Sequence, residues 1–156
     1  PALLTSARGR VDGRDASRNA RRDGFARGTV IFLDVERMDT IPHAMRDYYR
    51  AWARAILTDG RYRVGVYVHA RNADGVVADL RTECRRARAA ACPHVWVAAP
   101  RGRSRAAPPS ASGHAFADVW QGVLDTAETW GGIRLPIDVN VSRRASPSAP
   151  PPPSAR

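Results

Sequence analysis

Along residues 29 to 36, "TVIFLDVE", Ile31, Leu33 and Val35 fall on one side of an extended chain and Phe32, Asp34 and Glu36 on the other. The β-branched and aromatic content predicts a strand. The next segment changes period. In "DTIPHAMRDYYRAWARAILTDG", Met45, Tyr49, Trp52, Ile56 and Leu57 recur at helical spacing, with Thr40 as cap, Pro42 in the first turn and Gly60 as stop. A second strand follows, "YRVGVYVHA", and then a second amphipathic stretch, "DGVVADLRTECRRARAA", in which Val77, Leu80 and Cys84 share a face. "HVWVAAP" reads as a third strand, and two short apolar segments, "AFADVWQGV" and "LPIDVNVS", complete the pattern on either side of "DTAETWGGI".

Strands alternating with helices predict an α/β fold with about five parallel strands. Two architectures satisfy that grammar, an open doubly wound sheet and a partial (β/α)8 TIM-type barrel. No Gly-rich phosphate loop follows any strand, so the usual marker of the first is absent. The polar positions favour the second. In "IDVNV", Asp138 and Asn140 lie on the face opposite Ile137, Val139 and Val141, so two strands carry a polar pair toward their C-terminal ends, where barrels hold their sites. Tyr67 and His69 share a face of the second strand, and Trp96 lies on the third. Aromatic faces stack on sugar rings, and a tyrosine or histidine can bind a hydroxyl or share a proton.

Composition sets the domain bounds. Residues 1–13 read as a disordered or truncated lead-in, residues 14–142 as the barrel portion and residues 143–156 as a Pro/Ser-rich disordered tail, with a flexible Arg/Pro/Ser loop at 101–113. Charge excludes less than it suggests. All 25 basic residues are Arg, against 15 acidic ones, for a formal charge of +10. They are scattered among alanines rather than gathered with aromatics, which reads as the bias of a GC-rich genome and argues against a specific nucleic-acid partner. A cationic exterior still favours anionic polymers, bacterial cell wall among them. No apolar run is long enough for a membrane span, and the chain carries no secretory signal. Cys84 and Cys92 read as buried small hydrophobes in preference to the alternative, one disulfide in an oxidising compartment. No metal constellation or nucleophile triad is visible, and no cofactor is expected.

Taken in order, "GTVIFLDVE", "YYRAWARAILTDGRYRVGVYVHA", "VWVAAP", "DVWQG" and "IDVNVS" resemble the glycoside-hydrolase-like barrels that include the family 25 lysozymes, and most closely the bacterial domain of unknown function 1906 group. The resemblance implies a peptidoglycan-type glycan as partner, cleaved at β-1,4 bonds or bound without cleavage, and a secreted or cell-surface protein. It implies Glu36 as proton donor, Asp34 as its assistant and Asp138 as a further active-site acid. Tyr67, Trp96, Gln121 and Asn140 are expected as substrate-binding walls, and Trp120 joins Trp96 where the site binds without cleaving. Such chemistry needs one carboxyl kept protonated and another charged. Residues i and i+2 of a strand lie roughly 6.6 Å apart at Cα, near enough for one carboxylate to raise the other's pKa. A complete barrel takes about 250 residues, so its first strands are expected to be missing here, the exposed sheet edge being completed by an N-terminal segment, a partner or the chain's own arms.

Overall fold

Thr5 opens the first helix by accepting the Arg8 backbone N–H on its side chain, and α1 runs over Ser6–Arg22. The computed structural model describes residues 4–100 and 107–150. Residues 6–13, expected as a lead-in without structure, therefore lie inside a helix, and the reason is steric. A Cβ on Gly9 would lie 2.2 Å from Tyr48 O, and one on Gly13 would lie 2.6 Å from Trp52 O. Glycines that suggest looseness in the sequence are here the close-approach points at which α1 packs on the following helix.

Strand β1 (Val30–Val35) is followed by α2 (His43–Asp59), β2 (Arg63–His69), α3 (Ala70–Arg86), β3 (His94–Ala98), a short 3-10 turn (Pro109–Ser112), β4 (Val119–Trp130) and β5 (Ile133–Ser142). Pro42, with φ of −63°, is the N-cap of α2 rather than part of its first turn, and no side chain caps that helix; Gly60 ends it in the left-handed region at φ 65°. The five strands form one sheet in the order β1-β2-β3-β4-β5, a curled half-barrel in which β1 to β4 are parallel. The fifth strand corrects the all-parallel expectation. β5 runs antiparallel to β4 in a hairpin whose turn residues Gly131 and Gly132 take φ of 56° and 82°.

Side-chain alternation is as the sequence implies. Val35, Val64, Val66, Val68, Val95 and Val97 on one face are at most 1% exposed and pack with Tyr49, Trp52, Ile56, Val76, Val77 and Leu80 of the helices. Each fully buried side chain of this kind contributes roughly 1.5–3 kcal/mol of transfer free energy. Cys84 and Cys92, read from sequence as unpaired, form a disulfide with Cα atoms 5.8 Å apart. It ties the last turn of α3 to the entry of β3.

Beyond β5 the chain does not trail away. Arg143 N donates to Asp118 O, the Arg143 guanidinium donates to Ala115 O, and Val30 N donates to Ser148 O. Because β1 and β5 are opposite edges of the sheet, residues 143–148 cross from one edge to the other at the N-terminal end of the parallel strands. This strap satisfies one N–H of the open β1 edge. The parts of the expected loop at 101–106 and of the expected tail at 151–156 lie outside the described residues. Among the described residues no helix is long and apolar enough to cross a membrane.

Candidate functional site

The face of the sheet turned away from the helices carries a different set of residues. In the ladder Asp34 lies beside Tyr67, Tyr67 beside Trp96, Ala98 beside Gln121, and Gln121 beside Asn140. An open groove of about 370 Å³ runs across all five strands, lined by Phe32, Asp34, Glu36, Tyr67, Trp96, Gln121, Asp138 and Asn140. Seven of the nine residues singled out from sequence are thus brought to one place, and Phe32 joins them. Phe32 is legible through the face it shares with Asp34, although it carries no polar group to single it out. Its ring overlies Gly65, where a Cβ would lie 2.6 Å from it, and so reaches Trp96 edge-on at 5.8 Å.

The antiparallel β5 keeps Asp138 at the same end as Asp34, for a reason other than the one read from sequence. A strand entering from the hairpin starts at the C-terminal end of its parallel neighbours, so its early residues, Asp138 among them, lie at that rim. Two shifts of register, between Gln121 and Val123 and between Val123 and Thr126, then place Asp125 N against the Asp138 carboxylate at 3.0 Å.

Hydrogen bonds tie the lining together. Tyr67 OH donates to Gln121 Oε1 at 2.5 Å, Gln121 Nε2 donates to Asp138 Oδ2 at 2.6 Å, and Trp96 Nε1 donates to Asn140 Oδ1 at 2.9 Å. Tyr67 meets Trp96 edge-on at 5.7 Å. Asp34 and Glu36 are exposed at the mouth, whereas Gln121 is only 6% exposed. Partial burial, and then the neighbouring Glu36 charge, hold the Asp34 carboxyl above the usual carboxylate range. The phenol of Tyr67 is raised too, by burial first and then by Glu36, Asp34 and Asp138. The acid with the raised pKa is therefore Asp34, although the resemblance implies Glu36 as the proton donor.

Two aromatic candidates do not reach the groove. His69 ends β2 as the N-cap of α3, its Nδ1 accepting the Arg71 N–H at 3.1 Å, and its pKa is lowered by burial and then by Arg37 and Arg71. Trp120 points the other way. It is 1% exposed in the core and donates its Nε1 to Ala99 O at 2.9 Å, because adjacent strand residues cannot share the face that Gln121 occupies. Among the described residues no group of three or more His, Cys, Asp or Glu side chains could hold a metal ion.

The crystal structure of an uncharacterized B. stearothermophilus protein is similar at 28% identity and a TM-score of 0.59, over 88% of this chain. The chain spans 63% of the length of that relative. Curated proteins give no match. A family model matches residues 2–142, and the chain belongs to the family it describes, the Rv2525c-like, glycoside hydrolase-like domain.

Proposed function

We propose that the groove takes a β-1,4-linked cell-wall glycan of the peptidoglycan type and cleaves it with the carboxyl pair Asp34 and Glu36. The observation that carries this reading is the convergence of that pair, an aromatic wall of Tyr67, Trp96 and Phe32, and the amides of Gln121 and Asn140 on one open face of the sheet. Sugars bind through just this mixture, apolar ring faces on aromatics and hydroxyls on polar side chains. Burial, and then the neighbouring Glu36 charge, keep a proton on Asp34 to higher pH than on a lone carboxyl. One partner then protonates the leaving oxygen while the other stays charged. On this reading the half-barrel is part of a (β/α) barrel, and the Cys84–Cys92 disulfide suits an oxidising, secreted or cell-surface setting.

Glu36→Gln tests the assignment. Reducing ends released from purified peptidoglycan are expected to fall by at least about a hundredfold, with the melting temperature unchanged because Glu36 is exposed. Normal turnover by the variant ends the assignment of Glu36. A second reading, a carbohydrate-binding module without cleavage, is favoured by the exposure of both carboxyls, since an open groove does not exclude water from the reacting bond. That reading calls for saturable binding to insoluble peptidoglycan with no new reducing ends, and for loss of binding on Trp96→Ala.

A further inference from the structure

Asp138 is the third acid of the groove, and both of its carboxylate oxygens are already committed. Gln121 Nε2 donates to one at 2.6 Å and Asp125 N to the other at 3.0 Å. Both contacts come from N–H donors, so each carboxylate oxygen of Asp138 serves as an acceptor. A carboxylamide is polar by sides, with donors on the nitrogen and acceptors on the oxygen. Asp138, as acceptor, therefore turns the Gln121 nitrogen toward itself and leaves Oε1 for Tyr67, whose hydroxyl donates to it at 2.5 Å. Gln121 is 6% exposed, so water competes poorly for either end of the amide.

Tyr67 has one hydroxyl proton, and the amide takes it. What its oxygen still offers is a lone pair. From this geometry we infer that Asp138 and Gln121 are positioning residues, a polarity relay that presents Tyr67 Oη to the groove as a hydrogen-bond acceptor for a substrate hydroxyl. The inference rests on the glycan reading above and deepens it. Asp138 leaves the acid–base step to Asp34 and Glu36, and the sugar position facing Tyr67 must bring an O–H donor. Asn140 works in parallel on Trp96, taking its indole N–H at 2.9 Å so that the ring face is what remains for the ligand.

A donor–acceptor exchange tests the relay. Gln121→Glu sets two carboxylates against each other, and Asp138→Asn sets an amide N–H against the donor of either Gln121 or Asp125. In the double variant the new amide at position 138 donates to the new carboxylate at 121, still accepts from Asp125 N, and leaves Tyr67 its acceptor. Affinity for a β-1,4-linked N-acetylglucosamine tetramer is measured by calorimetry, beside the melting temperature. Each single variant is expected to lose about tenfold in affinity, and the double to return to within about threefold of wild type. In a Tyr67→Phe background the Gln121→Glu change is expected to cost no further affinity, because it acts through that hydroxyl. A double variant as weak as Asp138→Asn alone overturns the proposal, since a carboxylate at 138 would then be needed for itself. Should the wild type bind no glycan, the functional reading fails, while the relay is still read in the melting temperatures. Recovery in the double variant supports it, and no recovery overturns it.

Discussion

Leu33, Val66 and Val97 lie one residue away from Asp34, Tyr67 and Trp96, yet the two sets meet opposite surroundings. On the first side α2 and α3 close over the strands, and Val66 and Val97 have no measurable exposure. On the second no layer of the described chain covers the sheet, and the side chains satisfy one another across strands through Tyr67, Gln121, Asp138, Asn140 and Trp96. One face is held by area removed from water and the other by donor–acceptor matching. Stability is therefore expected to reside in the first and recognition in the second, and substitutions that separate the two quantities test the division.

The largest effect is expected from Trp120→Ala. The side chain is 1% exposed, packs in the helix-side core and spends its N–H on Ala99 O. Its removal leaves a large cavity and an unpaired carbonyl, at a cost of about 3–5 kcal/mol in denaturant unfolding. Binding measured on the fraction that stays folded should be unchanged. A stable variant that binds poorly would move Trp120 to the groove and undo the comparison.

Glu83→Ala asks whether charge also contributes on the covered side. The Glu83 carboxylate has no solvent exposure; Arg50 reaches Oε1 at 2.8 Å, Arg86 reaches it at 3.1 Å, and Arg54 lies 3.6 Å from Oε2. Truncation leaves these arginines without their shared anion, but all three retain contact with water, Arg54 and Arg86 being more than half exposed. The expected loss in denaturant unfolding is about 1–3 kcal/mol, below that of a pair broken in a dry core. A loss matching that of Trp120→Ala would show that the arginine cluster, and not the apolar face, carries most of the stability of this layer.

Much of that division is legible in the sequence. Alternation in "IFLDVE" and "IDVNV" assigns faces correctly, because successive side chains of an extended chain point to opposite faces even where, as between β4 and β5, the pairing register shifts. The expectation of Trp120 beside Trp96 fails on the same alternation, which that expectation leaves out of account: its neighbour Gln121 already claims the groove side. The direction of β5 is harder to read. Gly131-Gly132 between two apolar segments is a hairpin signal, but the expectation of βαβ repeats overrides it. Two other differences have tertiary causes. Gly9 and Gly13 make sense in a helix only when the backbone of α2 is there to approach, and the pairing of Cys84 with Cys92 depends on how the chain leaves α3 and enters β3. The relay through Gln121 is beyond the reach of sequence as well, since it needs the two register shifts that bring Asp125 to Asp138.

The smallest effect, and the finest test of the open face, concerns Asp34. Its carboxyl is raised above the ordinary value of 3.8 by burial and then by Glu36, so between that value and the folded one the native state holds more of the proton than the unfolded chain does. Stability contributed here falls as pH rises through that window, and above it the charged carboxylate carries its full cost. Asp34→Asn removes the cost, so the variant should melt slightly higher than wild type at pH 7, by about 1–2 °C for an exposed group, and the two should converge below the ordinary value. Added salt separates the causes. Screening weakens the repulsion from Glu36 but leaves the burial component, so in about 1 M salt the difference at pH 7 should shrink without vanishing. A difference that disappears would make Asp34 a purely electrostatic neighbour of Glu36, and a variant less stable than wild type at pH 7 would mean that the charged carboxylate has a favourable partner on this face after all.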